Sequence, residues 1–277
     1  MATSSNHNIY FDNAASTPVA DEVISEMLPY LKNQYGNPSS IHAFGRETTR
    51  AIQLARKRVA GLVNASSPRE ITFTSGGTEA DNLALKGAAF RAKNSGKGTR
   101  IITSSIEHDA ILEPCRDLQR MGFQVTYLPV DAEGMVRPSD LSGAITPDVA
   151  LVSIMYANNE VGTIQPVKEL AAIAHESGAL FHTDAVQAAG KIPIDVKQMG
   201  MDMMSISSHK INGPKGVGAL YVKSGIKLEP LLHGGGQEST LRSGTENVPG
   251  IAGFGRACQL AGERMQAYGQ RVGEMRD

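Results

Sequence analysis

The chain has 277 residues, with 27 lysines and arginines against 28 aspartates and glutamates. That length buries a sizeable core, and the near-zero net charge argues against nucleic acid or an anionic membrane as the main partner. The 2 cysteines, Cys115 and Cys258, lie far apart and in no CxxC pair, which argues against a disulfide framework or a zinc site and points to a reducing cytosol.

The N-terminus has neither a basic start nor an apolar core, so it does not read as a secretory signal, and no apolar run is long enough to span a bilayer. Two helices are expected first, over 21–34 and 45–63. A strand follows at 70–74, then a helix at 78–92. Further strands are expected at 100–104, 124–128 and 150–155, alternating with helices at 110–121, 138–144 and 166–176. Strands at 180–183, 203–207 and 218–222 come last, with no helix between them, so one of them is free to run antiparallel. From Gly250 onward the pattern is again helical, with Ile251, Phe254, Ala257, Cys258 and Ala261 on one stripe. Strand–helix alternation of this kind gives an α/β fold, a mostly parallel sheet with helices on both faces.

The chemistry concentrates at predicted strand ends. Ser75-Gly76-Gly77-Thr78-Glu79 joins a strand to a helix, where free N–H groups and the helix dipole suit an anion such as phosphate; an ordinary turn with Thr78 as cap is the alternative. His108 follows the next strand and suits either stacking on a flat ring or capping a helix. Asn159 stands after another strand, as a ring-hydroxyl partner or part of a polar turn. Asp184 ends a strand with Gln187 three residues on; a carboxylate there can hold a pyridinium nitrogen protonated, or simply cap a helix. Ser207, His209 and Lys210 close the series. A lysine beside cationic or apolar groups can lose its proton and attack an aldehyde; an exposed strand-end lysine is the plainer reading. Together these are the parts of a pyridoxal phosphate site: a Schiff-base lysine, a carboxylate for the ring nitrogen, and phosphate donors. Cys115 shares a stripe with Ile111, Leu112 and Leu118 and reads as core. His233-Gly234-Gly235-Gly236 has no accompanying G-x-S-x-G elbow, which sets a serine hydrolase aside.

The ordered motifs resemble those of the cysteine desulfurases of the NifS/IscS type, in the class V group of fold-type I pyridoxal phosphate enzymes. They run from Ile9-Tyr10-Phe11-Asp12-Asn13-Ala14-Ala15 to the last residues and include Gly36-Asn37-Pro38-Ser39-Ser40-Ile41-His42, Phe73-Thr74-Ser75-Gly76-Gly77-Thr78-Glu79 and Thr103-Ser104-Ser105-Ile106-Glu107-His108. They continue through Asn158-Asn159-Glu160-Val161-Gly162, His182-Thr183-Asp184-Ala185-Val186-Gln187, Ser207-Ser208-His209-Lys210 and Leu241-Arg242-Ser243-Gly244-Thr245.

The resemblance implies that Lys210 bonds pyridoxal 5'-phosphate covalently, that His108 stacks on its ring and that Asp184 pairs with the ring nitrogen. Gln187 and Asn159 would serve the ring-hydroxyl side and the substrate. Gly77, Thr78, Ser207 and His209 would hold the phosphate, with Thr245 reaching the phosphate of the other subunit of a homodimer. It implies no metal. The reaction implied takes sulfur from L-cysteine, leaving alanine and an enzyme persulfide that feeds iron–sulfur scaffolds and other sulfur acceptors in the cytoplasm. It also implies a small C-terminal domain bearing the attacking cysteine and an arginine for the substrate carboxylate. The expected organisation is therefore an N-terminal arm (1–15), a cofactor-binding large domain (16–249) and a helix (250–277) leading toward that small domain, with the sulfur nucleophile outside this chain. Alternative readings are another class V enzyme, such as a selenocysteine lyase or an aminotransferase, and a non-catalytic scaffold for sulfur acceptors.

Overall fold

The computed structural model describes residues 9–277; the first half of the expected N-terminal arm, residues 1–8, lies outside them. One seven-stranded sheet runs in the order β1-β7-β6-β5-β4-β2-β3. The strands are β1 Ile71–Thr74, β2 Arg100–Ser104, β3 Gln124–Leu128, β4 Val149–Ser153, β5 Leu180–Asp184, β6 Met203–Ser207 and β7 Gly218–Val222. All neighbours pair in parallel except β7, which runs antiparallel to both β6 and β1. The one antiparallel strand thus falls where the sequence has no crossover helix to spend.

The helices are α1 Asp21–Lys32, α2 Ala43–Leu62, α3 Gly77–Asn94, α4 Asp109–Arg120, α5 Pro138–Ala144, α6 Val167–Glu176 and α7 Val248–Arg276. Adjacent strand residues point to opposite faces, and each face has its own core. Ile101, Leu151, Met203 and Leu220 pack with α3 and α4. Ile102, Val152, Met204 and Tyr221 pack with α2, α6 and α7. β4 and β6 are buried at every position, as a sheet covered on both sides requires.

The predicted bounds of β2, β3, β6, β7 and α5 coincide with those observed. Glu70, expected as the first residue of β1, instead closes a 3-10 turn over Pro68–Glu70. Its Oε2 accepts the Ser66 and Ser67 amides (2.8 and 3.1 Å), a capping box that outcompetes extension of the strand. α7 is buried from Val248 to Leu260 and lies across α1 and α2. The approach is close: a Cβ on Gly255 would stand 2.5 Å from the Ala55 Cα.

β7 positions the future site through one glycine. Gly218 pairs with Thr74 on one side and Ser207 on the other, and a Cβ there would meet the Gly76 carbonyl carbon and the Ile206 oxygen, both at 2.7 Å. Backbone cannot yield as a side chain can. Gly218→Ala is expected to cost about 1–3 kcal/mol by overpacking and to displace the Gly76–Gly77 turn. Urea denaturation reads the first effect and titration with pyridoxal phosphate the second; an unchanged cofactor affinity would separate Gly218 from the site.

Candidate active site

The loops after β1, β2, β4, β5 and β6 converge on a cavity of about 460 Å³ at the carboxyl ends of the parallel strands. Its lining includes nine of the ten residues singled out from sequence: Gly77, Thr78, His108, Asn159, Asp184, Gln187, Ser207, His209 and Lys210. Thr245, the tenth, is exposed on the connection into α7 and is not brought into it. A larger cleft of about 980 Å³ beside Arg56 and Glu238 holds none of them. Converging chemistry, not size, marks the smaller one as the site.

The β1–α3 turn is built for an anion. Gly76 caps α3 at φ +156°, ψ −180°, a region open essentially to glycine alone, and no side chain caps the helix. The reading of Thr78 as helix cap therefore fails, and the first amides of α3 are left free. A Cβ on Gly77 would stand 2.9 Å from the Val186 Cγ2, so any larger residue would have to push that side chain aside. The cradle extends into an adjoining recess bordered by Ser207, His209 and Lys215.

His108 both caps α4 and borders the cavity. Its Nδ1 accepts the Ala110 N–H at 3.0 Å, so a neutral His108 carries its proton on Nε2. Asp184 ends β5, is 7% exposed, and is followed by turns rather than a helix. It is not a helix cap; its Oδ1 accepts the Val186 N–H at 2.9 Å in an Asx turn. Burial raises the Asp184 carboxyl, opposed by that amide and by the charges of His108 and Lys210. Asn158 forms the polar turn after β4, its Oδ1 accepting the Glu160 and Val161 amides at 2.9 Å. That leaves Asn159 on the cavity wall.

Lys210 ends a 3-10 turn over Ser208–Lys210, directly after β6. Burial lowers its ammonium from the usual lysine range, against the pull of Asp184 and Asp12. Its Nζ donates to the carbonyls of Ala14 and Ala15, the latter at 2.9 Å. Gln187 Nε2 also donates to the Ala14 carbonyl (2.9 Å), and Lys191 Nζ to Gln187 Oε1 (2.8 Å). Sequence reasoning gave no role to Ala14 and Ala15, whose contribution is backbone, and missed Asp81, which lines the cavity from α3.

These residues fit pyridoxal phosphate: a half-buried lysine, a buried carboxylate facing it, a histidine between two strand ends and an uncapped helix terminus shaped by glycines. With the mostly parallel sheet, they make this a large domain of fold-type I pyridoxal phosphate enzymes. Comparison with known proteins narrows the class. The chain belongs to the aminotransferase class-V family, whose profile matches residues 9–274, and that family depends on pyridoxal phosphate. A protein from Dictyoglomus turgidum named cysteine desulfurase IscS is 55% identical over 97% of this chain and 68% of its own length. Among solved structures, a NifS-like protein superposes with a TM-score of 0.90 at 46% identity, covering 94% of this chain and 71% of that one. SspA in complex with cysteine gives a TM-score of 0.88 at 44% identity, covering 91% and 72%.

Proposed function

We propose that this chain holds the cofactor and the substrate of a pyridoxal phosphate-dependent cysteine desulfurase. The observation that carries the reading is the convergence of Lys210, His108 and Asp184 on one cavity, with an anion cradle beside them. The names of its relatives and the cysteine bound by SspA support L-cysteine as the substrate.

When bound, pyridoxal phosphate supplies an electron sink that acidifies the Cα proton of an amino acid. Asp184 would set a negative charge against the ring nitrogen. His108 would present its ring to the cofactor face and an Nε2–H to the cavity. The amides of Gly77 and Thr78, with Ser207 and His209, would hold the phosphate. Asn159 and Gln187 would orient the ring-hydroxyl side and the substrate. Lys210 would be the covalent anchor; its lowered pKa raises the fraction of free amine available to bond the cofactor and to take a proton.

Desulfuration leaves alanine and a protein persulfide, which supplies iron–sulfur scaffolds and other sulfur acceptors. The exposure of Thr245 suits a homodimer in which that hydroxyl reaches the partner's phosphate. Two free, buried thiols suit the cytoplasm. Among the described residues no helix is long and apolar enough to cross a membrane.

Borohydride reduction of the cofactor-loaded protein, followed by peptide mapping, is expected to place the pyridoxyl adduct on Lys210. An adduct on Lys191 or Lys215 instead would overturn the assignment.

A further inference from the structure

At the cavity wall and behind it lie three buried carboxyl groups from three different elements: Asp81 on α3 and Asp184 at the end of β5 in the lining, and Glu107 before α4. Asp81 and Glu107 are 1% and 5% exposed, and each keeps one oxygen, Asp81 Oδ1 and Glu107 Oε2, without a hydrogen-bond partner. Asp81 lines the same cavity as Asp184.

An ionised carboxylate this deep needs a counter-charge and several donors. The surroundings supply no counter-charge, and the donors are few and uncharged, the Ser205 hydroxyl being the one that bonds Asp81. His182 Nε2 stands 3.7 Å from Asp81 Oδ1, but its ring is engaged by Ser153 Oγ (2.8 Å) and Ser205 Oγ (3.0 Å). Burial holds that histidine neutral, pushed down to about 3. Glu107 Oε1 accepts the Ser104 hydroxyl (2.6 Å) and the Met155 amide (2.9 Å), both uncharged. From α4, the nearby Cys115 thiol is itself neutral, raised to about 12. The remaining cation, Lys210, acts on Asp184, which also has the Val186 amide. Burial and the neighbouring carboxyls raise Asp81, and burial raises Glu107 to about 8.

We propose that Asp81 and Glu107 are positioning residues that each hold a proton at the cavity wall, leaving Asp184 as the one buried negative charge that faces the cavity among the described residues. Close carboxylates in a shared low-dielectric site do not all ionise; the proton goes where compensation is poorest. With both acids protonated, Asp184 is spared the repulsion of two neighbouring carboxylates. The two acids also tie the site together, since Glu107 joins the His108 loop to Met155 at the start of the Asn159 loop. The inference rests on the proposed role of Asp184 for its consequence, but not for its test.

Infrared spectra of the full chain at neutral pH, with and without pyridoxal 5'-phosphate, are expected to show carbonyl bands of protonated carboxyl groups. Asp81→Asn should remove one band and Glu107→Gln another. The Glu107 band should fade as pH rises through about 8, a readout available in the wild-type chain should either variant fail to fold. Asp184→Asn should leave both bands and weaken cofactor binding. A wild-type spectrum without protonated-carboxyl bands, or bands that survive both substitutions, overturns the proposal. If Asp184→Asn still weakens cofactor binding in that case, the role of Asp184 stands while the proposal does not.

Discussion

Asp184→Asn is expected to leave the fold intact and to slow removal of the substrate Cα proton by about a hundredfold. The asparagine keeps an Oδ1 to accept the Val186 amide, now 2.9 Å from the carboxylate, so the Asx turn survives. What is lost is one negative charge at a 7% exposed position. An opposite charge at such a site is worth about 1–3 pKa units to the group it faces. Each unit is about 1.4 kcal/mol, or tenfold in rate where the charge is needed in the transition state. The measurement is deuterium incorporation at Cα of L-cysteine by the cofactor-loaded protein, with cofactor occupancy held at saturation. Turnover at the wild-type rate would reduce Asp184 to a turn-forming residue.

The α/β class was readable because its signals are local. The runs of β2, β3, β6 and β7 lie between glycine, proline or polar residues at or within two positions of their ends, and their limits follow from those breaks. The site was readable for a related reason: in a parallel sheet the residues just past the strand ends share one edge, so His108, Asn159, Asp184 and Lys210 must meet once the strands are placed.

What escaped depends on tertiary contact or on backbone. In the helical pattern Asp81 looks like a solvent-facing polar residue. It is buried because α3 lies across the centre of the sheet, over His182 on β5 and Ser205 on β6, which makes almost every side of that helix an inner one. The carbonyls of Ala14 and Ala15, which receive the Lys210 ammonium, leave no mark in side-chain chemistry. Glu70 carried a signal that went unused: Ser67-Pro68-Arg69-Glu70 is a capping sequence with proline at the first helical position. Thr245 belongs to a different level again, since any role for it in the proposed dimer would be played across subunits.

The second large effect concerns sulfur. Desulfuration needs a thiolate in line with, and close to, the substrate sulfur. The thiols of this chain are Cys115 and Cys258. Cys115 is fully buried between α4 and the sheet, and Cys258 is 1% exposed on the packed half of α7. Neither lines the cavity. Burial pushes Cys115 up to about 12 and raises Cys258 further still. At neutral pH a thiol near 12 is thiolate in roughly one molecule in a hundred thousand, and the thiolate is the nucleophile. The 277-residue chain loaded with pyridoxal phosphate is therefore expected to bind L-cysteine and exchange its Cα proton without placing sulfur on either of its own cysteines. Intact-mass analysis after incubation with L-cysteine, with no reductant added, reads the result directly, and Cys115→Ser and Cys258→Ser serve as controls that should leave proton exchange unchanged. A persulfide on Cys258 that passes to an added acceptor thiol would mean that α7 opens far enough to deliver its inner face to the cavity, and the division of labour argued from burial would fall.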